Sequence, residues 1–404
     1  MHSVVSQTEI KMININETNK KHCCGCTACE SVCHKKCISM QTDNEGFKYP
    51  VVDKTKCVNC RLCEKVCPIL NKTHNVFPNT AYIVRNKNSE IVRSSTSGGA
   101  VTAFSKEIIN NGGIVFGGAF DGNFYVKHTY AETESELSKF RSSKYVQSDM
   151  GTTFTEVKQQ LDNGKFVMFT GTPCQVEGLQ NYLRKPYDNL FTIDFVCRAV
   201  PSPLVWEKYR EFMEKKFGSE ITYANFREKT YGYHSANLTL RFANGKKSIE
   251  NTNTDYMLKS FFKGICSRPS CYDCKFREPG RVSDLTVFDC WNITRYVNGL
   301  ADDDKGYTAV IIQSTKGAKL FEKAKHNLIV YPADPKLLLE NDGHMAMENP
   351  KYHKNRKEYF EMLNNGYNIE QIVKKYIPIK IFGKFRGFFY KTGILRFLKK
   401  LKIK

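Results

Sequence analysis

Between residues 81 and 313 the chain alternates short apolar runs with longer stretches of helical period. The runs at 81–84, 114–120, 124–131, 166–170, 191–196, 285–288 and 309–313 are rich in β-branched or aromatic residues and read as strands. Helical character falls between them at 101–110, 153–161, 176–183, 203–216 and 255–263. Two further runs, 238–242 and 247–250, flank Asn244-Gly245, a pair that readily takes the positive-φ turn of a tight hairpin. Elements in this order predict an α/β or α+β domain built on a mixed sheet. A polar linker, 71–80, separates it from an N-terminal segment of different pattern. Nowhere do 18 apolar residues follow one another, so no spanning helix is expected. The first 20 residues lack the apolar stretch of a secretory signal, so a cytoplasmic location is expected.

Composition changes the picture at two places. The chain has 404 residues and 16 cysteines, and ten of those cysteines lie between positions 23 and 67. In a reducing cytosol such a cluster binds metal or does chemistry more often than it forms disulfides. Cys23, Cys26, Cys29 and Cys33 keep the spacing C-x2-C-x2-C-x3-C, and Cys57, Cys60, Cys63 and Cys67 repeat it. This is the pattern of two [4Fe–4S] clusters in which the fourth cysteine of each run ligates the other cluster. It groups Cys23, Cys26, Cys29 and Cys67 at one site, and Cys57, Cys60, Cys63 and Cys33 at the other. Paired zinc knuckles are the competing reading, but four ligands per zinc do not explain two tandem four-cysteine runs. His34 stands where proline commonly follows the fourth cysteine, as Pro68 does in the second run. Cys24 and Cys37 are left over, with a swap between Cys33 and Cys37 open.

Three motifs follow. Ser94-Ser95-Thr96-Ser97-Gly98-Gly99-Ala100 lies after a strand and before a helix, where paired glycines and a helix N-terminus suit a phosphate or an ordinary capped turn. Thr170-Gly171-Thr172-Pro173-Cys174-Gln175 also ends a strand, the place where open α/β sheets bind ligands. Arg268-Pro269-Ser270-Cys271-Tyr272-Asp273-Cys274 holds a C-x2-C pair that supplies two ligands and must borrow others, or acts as a redox dithiol.

Taken with Lys144-Tyr145-Val146-Gln147-Ser148 and Asp194-Phe195-Val196-Cys197, this series resembles the beta subunits of coenzyme F420 hydrogenases and dehydrogenases, in the form with an N-terminal ferredoxin domain. The superfamily includes plant hydroxymethyl chlorophyll reductase. The resemblance covers roughly residues 20 to 335 and implies an iron–sulfur flavoprotein oxidoreductase. Its division is an N-terminal tail 1–19, a two-cluster ferredoxin domain 20–75, a mixed-sheet FAD-binding and iron–sulfur core 76–335, and a C-terminal extension 336–404 with a basic tail. It implies bound FAD at Ser97, Gly98, Gly99, Thr102, Lys144, Tyr145, Gln147, Ser148, Thr172 and Gln175. It also implies a third [4Fe–4S] cluster on Cys174, Cys197, Cys271 and Cys274, with Cys266 in reserve and Cys290 spare. The stretch Phe288-Asp289-Cys290-Trp291-Asn292 departs from the family's Gly-Asp-Phe-Trp-Gly-like sequence by losing both glycines. Lys144 is the candidate catalytic residue, stabilising negative charge on reduced flavin, with a phosphate-binding or surface lysine as the competing reading. A flavin exchanges two electrons as hydride while each cluster carries one. Such a chain reduces or oxidises a small organic substrate or a deazaflavin, with ferredoxin or deazaflavin as electron donor or acceptor. The alternative is a non-catalytic subunit that passes electrons to a partner. No G-x-G-x-x-G fingerprint favours a nicotinamide.

Charge is the second place. The formal net charge is +20, and residues 374–404 hold eleven Lys or Arg and no acid. Tyr390, Ile394, Phe397, Leu398 and Leu401 share one helical face, which fits an interfacial helix on an anionic membrane at the inner face, or a segment that docks an acidic protein. Nucleic acid is not expected as a partner, because no recognised binding fold accompanies the charge.

Overall fold

The computed structural model describes residues 20–235 and 237–378. The N-terminal tail 1–19 and the helical face expected at 390–401 lie outside the described residues. Among the described residues thirteen strands run in chain order: β1 Ile38–Thr42, β2 Lys48–Val52, β3 Thr80–Asn86, β4 Ile114–Phe120, β5 Val126–Ala131, β6 Val167–Gly171, β7 Leu190–Phe195, β8 Ile221–Glu228, β9 Asn237–Phe242, β10 Lys247–Asn251, β11 Leu285–Cys290, β12 Tyr307–Ile312 and β13 Leu328–Ala333. Eight of them form one mixed sheet in the order β13-β3-β12-β11-β7-β6-β4-β5.

The centre of that sheet is parallel: β4 pairs with β6, β6 with β7 and β7 with β11. These strands are nearly continuous apolar runs, as strands covered on both faces must be. The helices Ala100–Asn110, Thr153–Asp162, Pro173–Leu183 and Thr315–Ala324 cover them. Because β12 is antiparallel to β11 and β3 to β12, the start of β12 and the end of β3 reach the same edge as the carboxyl ends of the parallel strands. The loop before Ala100, the β6 turn into Pro173 and the exit of β7 therefore meet there. The second sheet, β10-β9-β8, contains the hairpin expected at Asn244-Gly245, where Gly245 has φ +80° and Phe242 N donates to Lys246 O at 3.0 Å.

Helix ends follow their sequences. Ser202 caps Pro203–Phe217 through its Oγ, which accepts from Val205 N at 3.3 Å, and Gly218 closes it at φ +65°. Asn368 and Gln371 form a reciprocal capping box on Ile369–Tyr376. That helix and Arg356–Asn364 bury Tyr359, Phe360, Ile369 and Ile372 in one cluster with Trp206, Tyr209 and Leu240. Phe47 and Tyr49, from the cysteine-rich segment, join the same cluster. The N-terminal segment and the C-terminal helices thus share an apolar core with the second sheet.

Polar contacts lock this junction. Arg268, 0% exposed, donates from Nε to Cys23 O at 2.7 Å, from Nη1 to Gln147 Oε1 at 2.9 Å and from Nη2 to Lys48 O at 3.0 Å. Its guanidinium lies 4.2 Å from the Tyr49 ring centroid. Arg356 forks onto both carboxylate oxygens of Glu45 at 2.7 and 2.6 Å. Gly178 lets the cysteine loop approach the helix Pro173–Leu183, since a Cβ there would meet Cys26 at 2.9 Å. Gly25 has φ +71°, and a Cβ would strike the Arg268 guanidinium at 2.8 Å.

Removing the Arg268 guanidinium leaves two buried carbonyls unpaired, each costing about 1–3 kcal/mol. Arg268→Ala is expected to lower unfolding free energy in urea by roughly 3 kcal/mol or more and to make residues 20–75 more sensitive to limited proteolysis. An unchanged midpoint and digestion pattern would show that the junction does not depend on this residue.

Candidate iron–sulfur and cofactor sites

The two cysteine runs fold with matching local backbones. Gly25 and Thr27 flank Cys26 at φ 71° and 70°, and Asn59 and Arg61 flank Cys60 at φ 52° and 59°. Alternating left-handed residues curl each loop so that successive thiols turn inward. Short helices follow at Ala28–Val32 and Leu62–Lys65. Cys29 interacts electrostatically with Cys23 and Cys67, and Cys26 with Cys29 and Cys67. That is the first group expected from the spacing. In the second, Cys33 Sγ lies 3.3 Å from Cys37 Sγ, Cys37 also hydrogen-bonds Cys57, and Cys63 interacts with Cys60. Buried Cys37 therefore sits between two expected ligands and is the sulfur best placed to replace Cys33. Cys29 also interacts with Cys63, so the two groups adjoin.

A third cysteine group lies at the carboxyl edge of the large sheet. Cys174 follows β6 at the start of its helix, Cys197 follows β7, and Cys271 and Cys274 lie on the loop after Arg268. All four line one small cavity, and Cys197 interacts with the other three. Burial pushes the Cys197 thiol well up, so a thiolate here needs a positive group to stabilise it. Val200 N points at Cys271 Sγ at 3.5 Å. Cys24 lines the same cavity and hydrogen-bonds both Cys174 and Cys26. It is thus no mere surplus thiol: it bridges the first ferredoxin group and the core group. The spacing could not show this, because Cys24 falls outside both four-cysteine runs. Cys266 and Cys290 are buried in apolar clusters and line neither this cavity nor the larger one beside it. Geometry gives no support to Cys266 as a reserve ligand.

The larger cavity has a volume of about 1120 Å³. Thr172, Cys197, Ala199, Val200 and Met345 line both cavities and form the wall between them. Of the residues expected at a flavin, Ser97, Gly99, Thr102, Lys144, Tyr145, Ser148, Thr172 and Gln175 line it together. Gly98 and Gln147 do not. Gly98 turns its N–H to Thr308 Oγ1 at 2.9 Å beneath the loop. The Gln147 amide is held by Arg268 and donates to Cys24 O at 3.2 Å, at the junction with the ferredoxin segment. Its place in the Lys144–Ser148 motif gave no hint of this.

The polar wall is a directed network. Gln175 Oε1 accepts from Thr172 N at 2.9 Å, and its Nε2 donates to Ser148 Oγ at 3.0 Å. Ser148 Oγ lies 2.9 Å from His128 Nδ1, and His128 Nε2 lies 3.0 Å from Thr170 O. A carbonyl only accepts, so Nε2 carries the proton. Desolvation pushes His128 down to about 4, which keeps it neutral at pH 7. Lys144 Nζ donates to Lys139 O at 2.8 Å and Arg141 O at 3.0 Å, and desolvation pushes its ammonium down to about 7. Also lining the cavity, Arg227 donates to Tyr145 OH and to Asp289, both at 3.2 Å, and lies 4.8 Å from the Trp291 ring centroid. Arg141 Nε and Arg227 Nη2 are buried with no hydrogen-bond partner. The cavity thus offers a hydroxyl-rich loop, a lysine of adjustable charge and orphaned guanidinium donors, a donor set that fits an anionic cofactor such as FAD. Sequence reasoning missed His128 and Arg227, which lie on strands with no motif around them.

Residues 164–336 match the family described as the C terminus of the coenzyme F420 hydrogenase/dehydrogenase beta subunit, and residues 22–70 match the 4Fe-4S dicluster domain. No curated protein matches. A chain of the F420-reducing [NiFe] hydrogenase complex from Methanosarcina barkeri is 17% identical with a TM-score of 0.43, covering 76% of this chain and 95% of its own. No helix among the described residues is long and apolar enough to cross a membrane. With a dicluster domain in front and, behind it, a domain of the coenzyme F420 hydrogenase/dehydrogenase beta subunit family, the chain is related to those beta subunits and is an electron-transfer protein of the iron–sulfur oxidoreductase type.

Proposed function

We propose that the chain is an FAD-dependent oxidoreductase with a third [4Fe–4S] cluster between its ferredoxin segment and its flavin, acting on a small organic substrate or a deazaflavin. The observation that carries this reading is the shared wall: Cys197 and Thr172 face both the four-cysteine cavity and the 1120 Å³ cavity. Cys174, Cys197, Cys271 and Cys274 would hold the cluster. Ser97, Gly99, Thr102, Lys144, Tyr145, Ser148, Thr172 and Gln175 would hold FAD. When bound, FAD supplies two-electron hydride chemistry and the clusters supply single-electron steps.

The chain's own residues position and insulate. The His128–Ser148–Gln175 network fixes the β6 turn, so Thr172 Oγ1 stays 3.1 Å from Cys174 Sγ. Tyr145, stacked on Phe261 at 4.6 Å, and Phe262 close the apolar side against water. Lys144 can carry either charge near neutrality, so it can follow the charge of an anionic neighbour without a long proton path. The cavity exceeds the usual range for a single small ligand, about 300–1,000 Å³.

Anaerobically reconstituted protein is expected to retain FAD and about 12 iron atoms. Cys271→Ala should lower iron by about four atoms and leave the ferredoxin clusters, as read by iron and acid-labile sulfide analysis. Unchanged iron would overturn the ligand assignment, and absence of flavin after reconstitution would overturn the reading as a flavoenzyme. Above pH 7 the ligand-free Lys144 is mostly neutral, and an anionic ligand beside it raises its affinity for a proton. Titration calorimetry with FAD at pH 8, in two buffers of different ionisation enthalpy, should therefore show uptake of up to about one proton. The uptake should fade towards pH 6, where the lysine is already charged, and vanish in Lys144→Met. Equal uptake in the variant would place the proton elsewhere.

A further inference from the structure

We propose that the face around Cys57 and Cys60 docks an acidic one-electron carrier protein and is where electrons pass between that carrier and the chain. The proposal rests on reading the second cysteine run as a cluster site, and it names that site's partner.

The order of the cysteine groups gives the direction. Cys197 is at the cavity wall, Cys24 joins the core group to Cys26, and Cys29 joins the first ferredoxin group to Cys63. Cys57 and Cys60, at the far end of this series, are exposed. Neither the large cavity nor the core cysteine cavity reaches them. A protein carrier could bring its own redox centre against this exposed surface.

The surface around them has the anatomy of a charged docking site. Residues 33–37 and 53–65 hold six basic side chains (Lys35, Lys36, Lys54, Lys56, Arg61 and Lys65) and two acidic ones, Asp53 and Glu64. Both acids are already paired, Asp53 with Lys56 at 3.1 Å and Glu64 with Arg61 at 2.8 Å. Lys35, Lys36, Lys54 and Lys65 are exposed. Val58, 55% exposed, stands between the two cysteines as an apolar centre. An apolar patch inside a rim of one charge sign steers a partner of the opposite sign and excludes water at contact. Lysines alone would also attract an anionic bilayer, but a bilayer offers no redox centre to the exposed sulfurs. In the transfer the reduced carrier loses one electron and the chain gains one; no bond forms or breaks and no proton needs to move.

The test uses the reconstituted full chain and a small acidic bacterial ferredoxin, with stopped-flow reduction as the readout and reduced methyl viologen as a cationic control. Reduction by ferredoxin is expected to slow by about tenfold or more between low and high salt. The variant Lys35→Glu/Lys36→Glu/Lys54→Glu should slow it by a similar factor at low salt, while its iron content stays at the wild-type value and its rate with viologen does not fall. If the ferredoxin rate ignores both salt and charge reversal in protein that viologen still reduces, the docking proposal falls while the cluster assignment stands. If the clusters themselves are absent by iron analysis, the underlying reading fails instead. If charge reversal abolishes sedimentation with phosphatidylserine vesicles but leaves the ferredoxin rate unchanged, the rim is a membrane face and the proposal is overturned.

Discussion

Arg268 carries a full charge into a place with no exposure, and the sequence of redox sites depends on where its guanidinium hydrogen bonds go. One arm holds Cys23 O, one holds Gln147 and one holds Lys48 O, so the cysteine loop, the cavity-side motif and strand β2 are tied to a single rigid fork. Burial works against the charge, and the sulfurs of Cys23, Cys24 and Cys271, with Tyr49, outweigh it. Those sulfurs belong to both sides of the junction. The same group that fixes the geometry thus stands beside sulfurs of both the ferredoxin segment and the core.

Cys24 stands between the two cysteine groups held in this way. Its side chain touches Cys26 on one side and Cys174 on the other. Gly178 permits the approach by presenting no side chain to Cys26. Beyond Cys174 lies Cys197, whose position after β7 is set by the parallel pairing of β6, β7 and β11. The parallel centre of the sheet thus brings ligand-bearing loops to one edge, as expected where carboxyl ends of strands gather. The antiparallel β12 and β3 bring Thr308 and the Ser97–Gly99 loop to the same edge.

Much of this was legible in the chain. The strand at 114–120 and the helix from Pro203 are read almost to the residue, because buried parallel strands are unbroken apolar runs and because Pro and Gly mark the helix ends. Strand β8 escapes notice because its edge position leaves a polar, irregular pattern. Strand β13 contains Pro332, which an edge tolerates and a pattern search penalises. The C-terminal helices are short and bury one face against partners more than 100 residues away, which no local period reveals. At the site, the eight cysteines expected to ligate the ferredoxin clusters are read from spacing alone. Cys24, Gln147 and Arg268 are not, because their roles arise only where the ferredoxin segment meets the core. His128 is set by a network whose other members come from three separate segments.

If the chain works as proposed, the core cysteine group and the near ferredoxin group communicate through Cys24, which touches both. Electron paramagnetic resonance of the anaerobically reconstituted, fully reduced chain, set beside the spectrum of Cys271→Ala, reads that coupling. Broadened, magnetically coupled signals are expected in the full chain, and they should simplify when the core group is lost. A full-chain spectrum equal to the sum of independent clusters, with the variant lacking only one uncoupled component, would contradict this arrangement.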